Sequence, residues 1–422
     1  MRIFNNYIKV LLILTYVASA EAQDVYRTEL LRDDIKSLEV KIQGELISTP
    51  YIELNGEKVI EISFDALHRS SGRFAYSVIH CDADWKKSVL IPIEYMRGFQ
   101  NTALNDFANS MNTMTHYTNY KLFLPNEDTQ FTVSGNYVVQ IYEEDNPDNI
   151  VLTACFSVVE TLIDINASVS GNTDIDFNKA HQQVEFTINK KDVVITYPQT
   201  DLKIFVYQNN NLYDIRTNLQ PMSITNKLLQ FKHNRDLIFD AGNEYRRIEF
   251  LTHRYNGMGV ESISFYNPYY HTTLLQNRIR ADRAFLYDQD QNGRFFIRCS
   301  GCEDPDSEGD YYIVHFSLAS ELMLSGNIYL FGDMFSNIIG KVSQMDYNSE
   351  TEAYEKSVML KTGLYNFQYA FVENGSSKVT LGPTEGNFFE TENEYTIAVY
   401  FRPMGTRYDR LIGVRNINSL NR

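Results

Sequence analysis

Several residue types are scarce in this chain of 422 residues, and each scarcity argues against a class of protein. The chain has one tryptophan, eight histidines and four cysteines. The histidines are scattered, and no pair has the spacing of a metalloprotease motif. Gly-x-Ser-x-Gly and glycine-rich phosphate loops are absent, and no strand–helix–strand rhythm occurs. The sequence therefore argues against zinc proteases, serine hydrolases and parallel nucleotide-binding folds.

Basic residues are also in deficit. The chain carries 38 lysine and arginine residues against 54 aspartate and glutamate residues, a formal net charge of −16 at pH 7. Such a charge is repelled by phosphate backbones and by anionic lipid surfaces. We therefore expect no nucleic-acid partner and no direct insertion into a membrane.

Long apolar runs are missing except near the amino terminus. Arg2 and Lys9 precede an apolar run at residues 10–18, and residues 20–22 have the small-x-small pattern of a cleavage site. Because this run is too short to span a bilayer, it predicts a secretory signal peptide at residues 1–22. No cysteine follows the predicted cut, so we expect an exported, periplasmic protein without a lipid anchor.

What the sequence does have is aromatic residues. Its 29 tyrosines and 26 phenylalanines fall in short runs separated by turn residues, which is typical of antiparallel β structure. We predict an all-β fold of tandem immunoglobulin-like β-sandwich domains with minor helical insertions. The predicted domains are a first sandwich at 23–160, a second at 161–275 and a third at 276–422. Strands are predicted at, among others, residues 74–81, 181–189, 193–197, 202–208 and 284–287.

The densest group of reactive side chains lies at the end of one predicted strand. It contains His80, Cys81, Asp82 and Asp84, together with the only tryptophan, Trp85. One interpretation is a metal or nucleophile site, and the other is a buried strand that ends in a polar turn. On a strand, His80 and Cys81 point to opposite faces and cannot ligate one metal, and aspartates in turns often bond their own backbone. We favour the structural interpretation, with Trp85 as a core anchor.

The cysteines include one close pair, Cys299 and Cys302. A zinc site would need a second pair, which Cys81 and Cys155 do not provide, and a redox role would need a strand–helix–strand context. A local disulfide between Cys299 and Cys302, or two free thiols in a loop, is therefore preferred. Cys81 and Cys155 fall in one predicted domain and could bridge two strands.

A second candidate metal site follows the first half of a calcium loop. Asp288, Asp290 and Asn292 stand at ligand positions 1, 3 and 5, and Gly293 follows for the sharp turn. Position 12, which needs a bidentate glutamate, is Cys299. The segment reads equally as a hairpin with Asn-Gly at its tip. We therefore predict no metal and no other cofactor, with calcium as the alternative.

One tyrosine cluster suggests a binding surface. Tyr266, Tyr269 and Tyr270 surround a proline-broken turn. Exposed aromatic rings bind sugars and also anchor protein interfaces, although many such rings fill sandwich cores instead. We predict these three residues as candidate interface aromatics. No catalytic residue is predicted, because no convergent acid–base pair can be named.

Several motifs together carry a resemblance to a known family. In the predicted first domain they are His80-Cys-Asp-Ala-Asp-Trp85, Tyr95-x-x-Gly98-Phe99, Ser110-x-Asn112-Thr113, the segment 117–126 and Ser134-Gly-Asn-Tyr137. Further along they are Tyr266-Asn-Pro-Tyr269, Gly309-Asp-Tyr-Tyr-x-Val-His315-Phe and the segment 391–409. With these motifs the chain resembles the type 9 secretion system plug protein family over nearly all of its predicted mature length.

The resemblance implies a periplasmic protein without catalytic residues or cofactors. Such a protein would sit in the periplasmic mouth of a very large outer-membrane translocon barrel and close it when no cargo is loaded. The implied partner is that barrel, through which the protein would associate with the outer membrane. Two other hypotheses stay open, namely a periplasmic carbohydrate-binding β-sandwich module of a glycan-uptake system and an appendage of a glycoside hydrolase.

Overall fold

The structure, a computed structural model, describes residues 25–67 and 72–420. The predicted signal peptide at 1–22 lies outside the described residues. The chain is about 47% strand and 6% helix, and no helix in the described ranges reaches seven residues. The all-β prediction is therefore confirmed. The α-helices are α1 Pro92–Tyr95, α2 Pro198–Asp201, α3 Pro305–Glu308 and α4 Gly382–Glu385, and the 3-10 turns are Arg235–Leu237 and Asp333–Phe335.

The strands of the described residues follow in chain order. The first twelve are β1 Glu29–Leu30, β2 Ile35–Ile42, β3 Tyr51–Glu53, β4 Ile60–Ala66, β5 Phe74–Cys81, β6 Met96–Gly98, β7 Thr102–Ala103, β8 Phe107–Asn109, β9 Thr118–Leu124, β10 Thr129–Phe131, β11 Gly135–Glu143 and β12 Asn146–Val159. The next six are β13 Asp164–Ser170, β14 His181–Asn189, β15 Leu202–Gln208, β16 Ser223–Ile224, β17 Leu228–Phe231 and β18 Ile238–Asp240. The remainder are β19 Arg246–Phe250, β20 Val260–Tyr266, β21 Tyr269–Leu274, β22 Asn277–Arg278, β23 Phe295–Ile297, β24 Tyr311–Ala319, β25 Gly326–Phe331, β26 Asp346–Asn348, β27 Ala353–Lys361, β28 Gly363–Glu373, β29 Val379–Thr380, β30 Glu394–Phe401 and β31 Arg410–Asn418.

The first unit contains β1 to β12 and is a sandwich of two main sheets. One sheet has the order β1-β12-β11-β5-β7 with β3 parallel to β12, and the other has the order β2-β4-β9-β8. Side chains of both sheets, such as Phe64 of β4 and Tyr137 of β11, share one hydrophobic core. Each large apolar side chain that is fully buried there contributes about 1.5–3 kcal/mol, so this core is a main source of the sandwich's stability.

The second and third units are interleaved along the chain. The second unit pairs β13-β14-β17-β16 with β18 on β14, and it is completed by the sheet β15-β30-β31 near the carboxyl terminus. Between β18 and β30 the chain forms the third unit, from β19 to β29, with sheets β19-β28-β23 and β20-β21-β24-β27-β26. The core of the second unit therefore combines residues such as Phe186 and Val206 with Tyr395 and Ile412.

This insertion matters for the predicted domain boundaries. The predicted border at residue 160 adjoins the end of β12, but strand pairing crosses the predicted border between residues 275 and 276. β19 pairs with β28, and β15 pairs with β30, so both sheets join segments from either side of that border. Local sequence patterns cannot reveal that the chain returns to pair with an earlier strand, because the pairing strands are separated by more than a hundred residues.

Alternating side chains explain why each sheet has one buried face. In β24 the residues Tyr312, Val314 and Phe316 are buried, whereas the residues between them are partly exposed. The buried set faces the core of the third unit. Because side chains alternate along a strand, His315 lies on the opposite face, toward solvent.

Of the five predicted strands given by residue range, three are present and two are wrong. The predicted strands at 74–81, 181–189 and 202–208 match β5, β14 and β15. Residues 193–197 and 284–287, predicted as strands from their apolar content, are irregular, and within them Val194 is 82% and Leu286 is 81% exposed. Apolar content without a neighbouring strand edge is not sufficient to form a strand.

Candidate interaction surface

A fully buried ion pair joins the first unit to the third. Lys361 at the end of β27 places its Nζ 2.7 Å from Asp65 Oδ2 in β4. Tyr311 donates its hydroxyl hydrogen to the same oxygen at 2.6 Å, and Asn119 donates to Asp65 Oδ1 at 2.8 Å. Burial raises the pKa of the Asp65 carboxyl, and Lys361 opposes that effect. Both charges are thus compensated inside the junction.

Loop residues around α3 extend this junction. The carboxylate of Asp310 accepts hydrogen bonds from the backbone N–H groups of Met114 and Thr115, at 2.9 and 3.1 Å. Tyr117 donates its hydroxyl hydrogen to the carbonyl oxygen of Gly309 at 2.7 Å. The first and third units are therefore joined through backbone groups as well as charges.

A second junction joins the first unit to the β30–β31 sheet of the second unit. Asp409, just before β31, accepts hydrogen bonds from the backbone N–H of Ala83 at 3.0 Å and from Lys203 Nζ at 2.8 Å. Tyr400 donates to Asn136 Oδ1 at 2.8 Å, and the Arg410 guanidinium pairs with a first-unit carboxylate. The first unit is thus bonded directly to both the second unit and the third.

The reactive side chains at residues 80–85, predicted to be structural, begin with a buried histidine. His80 is 1% exposed, with Nδ1 2.8 Å from Ser88 Oγ and Nε2 3.2 Å from the carbonyl oxygen of Ser134. Burial lowers the pKa of His80 to about 4, so it is neutral near pH 7. Gly135 has a φ of +140°, and a Cβ there would lie 2.4 Å from His80 Nε2. His80 is thus a packed core histidine.

Trp85, Cys81 and Cys155 lie on the face of the β12-β11-β5 sheet opposite to His80. Trp85 is half-buried and packs against a small cluster containing Cys81, Val138 and Cys155, beside a cavity of about 180 Å³ where the three units meet. Both cysteines are free thiols. β11 lies between β5 and β12, so the cysteines are separated by two strand spacings, roughly 9.6 Å, which exceeds disulfide reach. The bridge between them that the sequence allowed does not form.

The calcium alternative finds little support in the geometry. Arg247 engages the carboxylate of Asp288, and the carboxylate of Asp290 accepts hydrogen bonds from the backbone N–H groups of Tyr245 and Asn292. Within the described residues no group of three or more histidine, cysteine, aspartate or glutamate side chains is placed to hold a metal ion. These oxygens shape a loop instead. Nearby, Cys299 and Cys302 are joined by a disulfide.

The three candidate interface tyrosines lie on the β20–β21 hairpin and differ in exposure. Tyr266 is 64% exposed and meets the ring of His271 edge-on at 5.2 Å. Tyr269 is half-buried. Tyr270 points inward, with its ring 5.1 Å from that of Tyr312 in the third-unit core. Only Tyr266 therefore presents most of its ring to solvent.

Four exposed apolar side chains lie in or next to α1 on the first unit, and we call them the α1 patch. Its members are Val89, Ile91, Ile93 and Phe99, which are 58–82% exposed. The turn after β30, which carries the exposed Met404, is held nearby because Arg407 pairs with Glu94 of α1 at 2.7 Å. Several exposed apolar side chains close together on one unit can mark a protein-binding site.

Sequence reasoning missed this patch. The segment alternates buried and exposed apolar residues, with Leu90, Tyr95 and Met96 in the core. Apolar content alone does not show which of these residues are buried and which are exposed. The available signal was Pro92 in a short segment that also holds Ile91 and Ile93.

Comparisons with known proteins identify the relatives of this chain. A family model described as the type 9 secretion system plug protein first domain matches residues 35–160. The chain belongs to the type 9 secretion system plug protein family. It is also similar to a hypothetical protein from Parabacteroides merdae ATCC 43184, known from a crystal structure, with 58% sequence identity and a TM-score of 0.93. That match covers 94% of this chain and 100% of the other. No curated protein matches the chain significantly.

The plug domain coincides with a structural unit. Its residues 35–160 run from the start of β2 to just past β12, which is nearly the whole first unit. The α1 patch lies inside it, whereas the candidate tyrosines and the calcium-like loop lie outside. Membership in the plug family gives the protein a role related to type 9 secretion. Among the described residues, no helix combines the length and apolar character needed to cross a membrane.

Proposed function

We propose that this protein is a non-enzymatic periplasmic subunit that plugs the periplasmic opening of the outer-membrane type 9 translocon barrel when no cargo is loaded. The observation that carries the proposal is the match of the plug domain to the first unit. A stopper must resist deformation, and the two junctions of the first unit supply that property. Its partner is the barrel, and its place is the periplasm, associated with the outer membrane through that barrel.

The α1 patch is the proposed docking surface within this function. Ile93 and Phe99 are 82% and 80% exposed on the plug domain itself. The exposed side chain of Arg97 is two residues from Phe99, on a protein whose overall charge is −16, whereas the nearby Arg407 is already paired with Glu94. A barrel rim with apolar side chains and acidic groups would complement this surface, and an interface of this kind can still dissociate.

Permeability tests the plugging function. A strain that lacks the protein but assembles the translocon should become sensitive to large antibiotics and dyes, and the wild-type gene should restore the barrier. The protein should co-purify with a barrel of very high mass from outer-membrane extracts. Unchanged permeability in the deletion strain, with the translocon assembled, would contradict the proposal.

A pair of variants tests the docking surface separately. We expect Ile93→Asp combined with Phe99→Asp to abolish co-purification and to leave the deletion strain permeable. Leu324→Asp is the matched control, because Leu324 is 81% exposed on the third unit. If the patch variant seals the channel as well as the control, another face docks, and the plugging function itself still stands on the deletion result.

Carbohydrate binding is the second candidate function, and the exposed ring of Tyr266 is the observation that favours it. A polysaccharide column should retain the wild-type protein and release Tyr266→Ala if this function holds. Retention that is identical for both proteins, or absent for both, removes the candidate.

A further inference from the structure

Two histidines meet on the solvent-facing side of the third unit. β21 and β24 are parallel neighbours in which His271 pairs with Ile313 and Thr273 pairs with His315. His271 and His315 therefore lie on the same face, diagonal to each other. Tyr312, Val314 and Phe316 occupy the opposite face and fill the core, so the histidine face is the open one. Both imidazoles are partly exposed.

The two imidazoles point reactive nitrogens at each other. His271 Nδ1 lies 2.9 Å from His315 Nε2, and the rings are nearly parallel, with an angle of 17° between them. Ser357 of β27 holds its Oγ 2.7 Å from His315 Nδ1. When His315 Nδ1–H donates to Ser357, the lone pair of Nε2 faces His271.

We propose that His271 and His315 form a binding site for a divalent transition-metal ion such as Zn²⁺ or Ni²⁺. Imidazole nitrogen suits these ions. With Zn–N bonds of about 2.0–2.1 Å, a tetrahedral ion holds two nitrogens roughly 3.3 Å apart. From the present 2.9 Å the nitrogens must move apart by about 0.4 Å, and each ring must turn so that its lone pair points at an ion beside the line between them. For both imidazoles to bind the ion as neutral ligands, the hydrogen on His271 Nδ1 must move through solvent to His271 Nε2, which leaves the Nδ1 lone pair free for the metal.

The surroundings support a site of this kind. The hydrogen bond to Ser357 is the outer partner that metal-bound histidines commonly have. No third histidine, cysteine, aspartate or glutamate joins the pair in the described part of the chain. Water or an external ligand would complete the coordination.

Calorimetric titration of metal-free, untagged protein with Zn²⁺ and with Ni²⁺ tests the proposal. We expect one ion per chain, loss of that binding in His271→Ala and in His315→Ala, and weakening by about tenfold in Ser357→Ala. His116→Ala is the matched control, because His116 is exposed on the first unit. Its affinity should equal that of the wild type.

A second measurement guards against misfolded variants. The metal should raise the melting temperature of the wild-type protein and of His116→Ala, but not that of the two histidine variants, whose metal-free melting temperatures should stay near the wild type. Absence of binding to the wild type would overturn the proposal. Equal binding by wild type and the double variant His271→Ala/His315→Ala would also overturn it.

Discussion

The two junctions of the first unit use buried charge in different ways. At the junction with the third unit, the side chains of Asp65 and Lys361 are 0% and 1% exposed. At the junction with the second unit, Asp409 is 0% exposed, but its partner Lys203 keeps 43% of its side chain in solvent. The first pair is enclosed by protein, whereas the second pair has one hydrated member.

This difference determines what each junction tolerates. A charge that loses an enclosed partner remains buried without compensation, which costs far more than the pair contributes. Asp409 would keep the N–H of Ala83 and the guanidinium of Arg402, at 3.0 and 3.6 Å, if Lys203 were absent. The third-unit junction should therefore be the more fragile of the two when a single residue is changed.

The largest effect is expected for Lys361→Met. The substitution leaves Asp65 buried without its cation, so the free energy of unfolding should fall by about 3–5 kcal/mol. Urea unfolding monitored by circular dichroism measures it. The double variant Asp65→Leu/Lys361→Met should recover most of the loss. A double variant as unstable as the single one would show that shape, and not stranded charge, controls this junction.

A buried carboxyl group with no cationic partner among the described residues, where the chain crosses from the second unit to the third, sharpens the comparison. Glu244 is 1% exposed, and burial raises its pKa from the ordinary 4.5 to about 8. Between these values the folded state binds more protons than the unfolded state, so stability should fall as pH rises from 4.5 to 8. The limiting slope is about 1.4 kcal/mol per pH unit.

Substitution of Glu244 isolates that contribution. Glu244→Gln should flatten the decline of unfolding free energy between pH 4.5 and 8, because the amide cannot ionise. Urea midpoints at several pH values measure the slope, and Glu350→Gln, at an exposed turn, is the control. If the variant and the wild type decline in parallel, Glu244 does not carry the effect.

A smaller effect is expected for Lys203→Met, the counterpart of the first substitution. Because Lys203 is hydrated and Asp409 keeps other donors, the free energy of unfolding should change by about 1 kcal/mol or less. The same urea experiment measures it. A loss as large as that of Lys361→Met would remove the distinction between the junctions.

The smallest effect on stability is expected for Ile93→Asp in the α1 patch. Its side chain is 82% exposed, so the unfolding free energy should change by no more than about 0.5 kcal/mol. Thermal unfolding checks this. A cooperative transition at the wild-type temperature, for this variant and for Ile93→Asp/Phe99→Asp, would show that binding defects of the patch variant come from the surface and not from misfolding.

Local patterns in the sequence predicted much of the fold and little of the surface. The strand at 181–189 was predictable because Val184, Phe186 and Ile188 alternate with polar residues, and the strand at 202–208 because it is rich in β-branched and aromatic residues. The α1 patch was not predictable, because its exposed isoleucines are interspersed with core residues. The histidine pair was not predictable either, because His271 and His315 are 44 residues apart and meet only through the pairing of two parallel strands.

The sequence by itself determined an all-β chain and its resemblance to the plug family, since alternation and short motifs are local properties. Tertiary structure alone decided that β30 and β31 complete the second unit around an inserted third unit. It also decided which charges are enclosed and which apolar side chains stay outside. Those outcomes depend on contacts between distant segments, and no short stretch of residues specifies them.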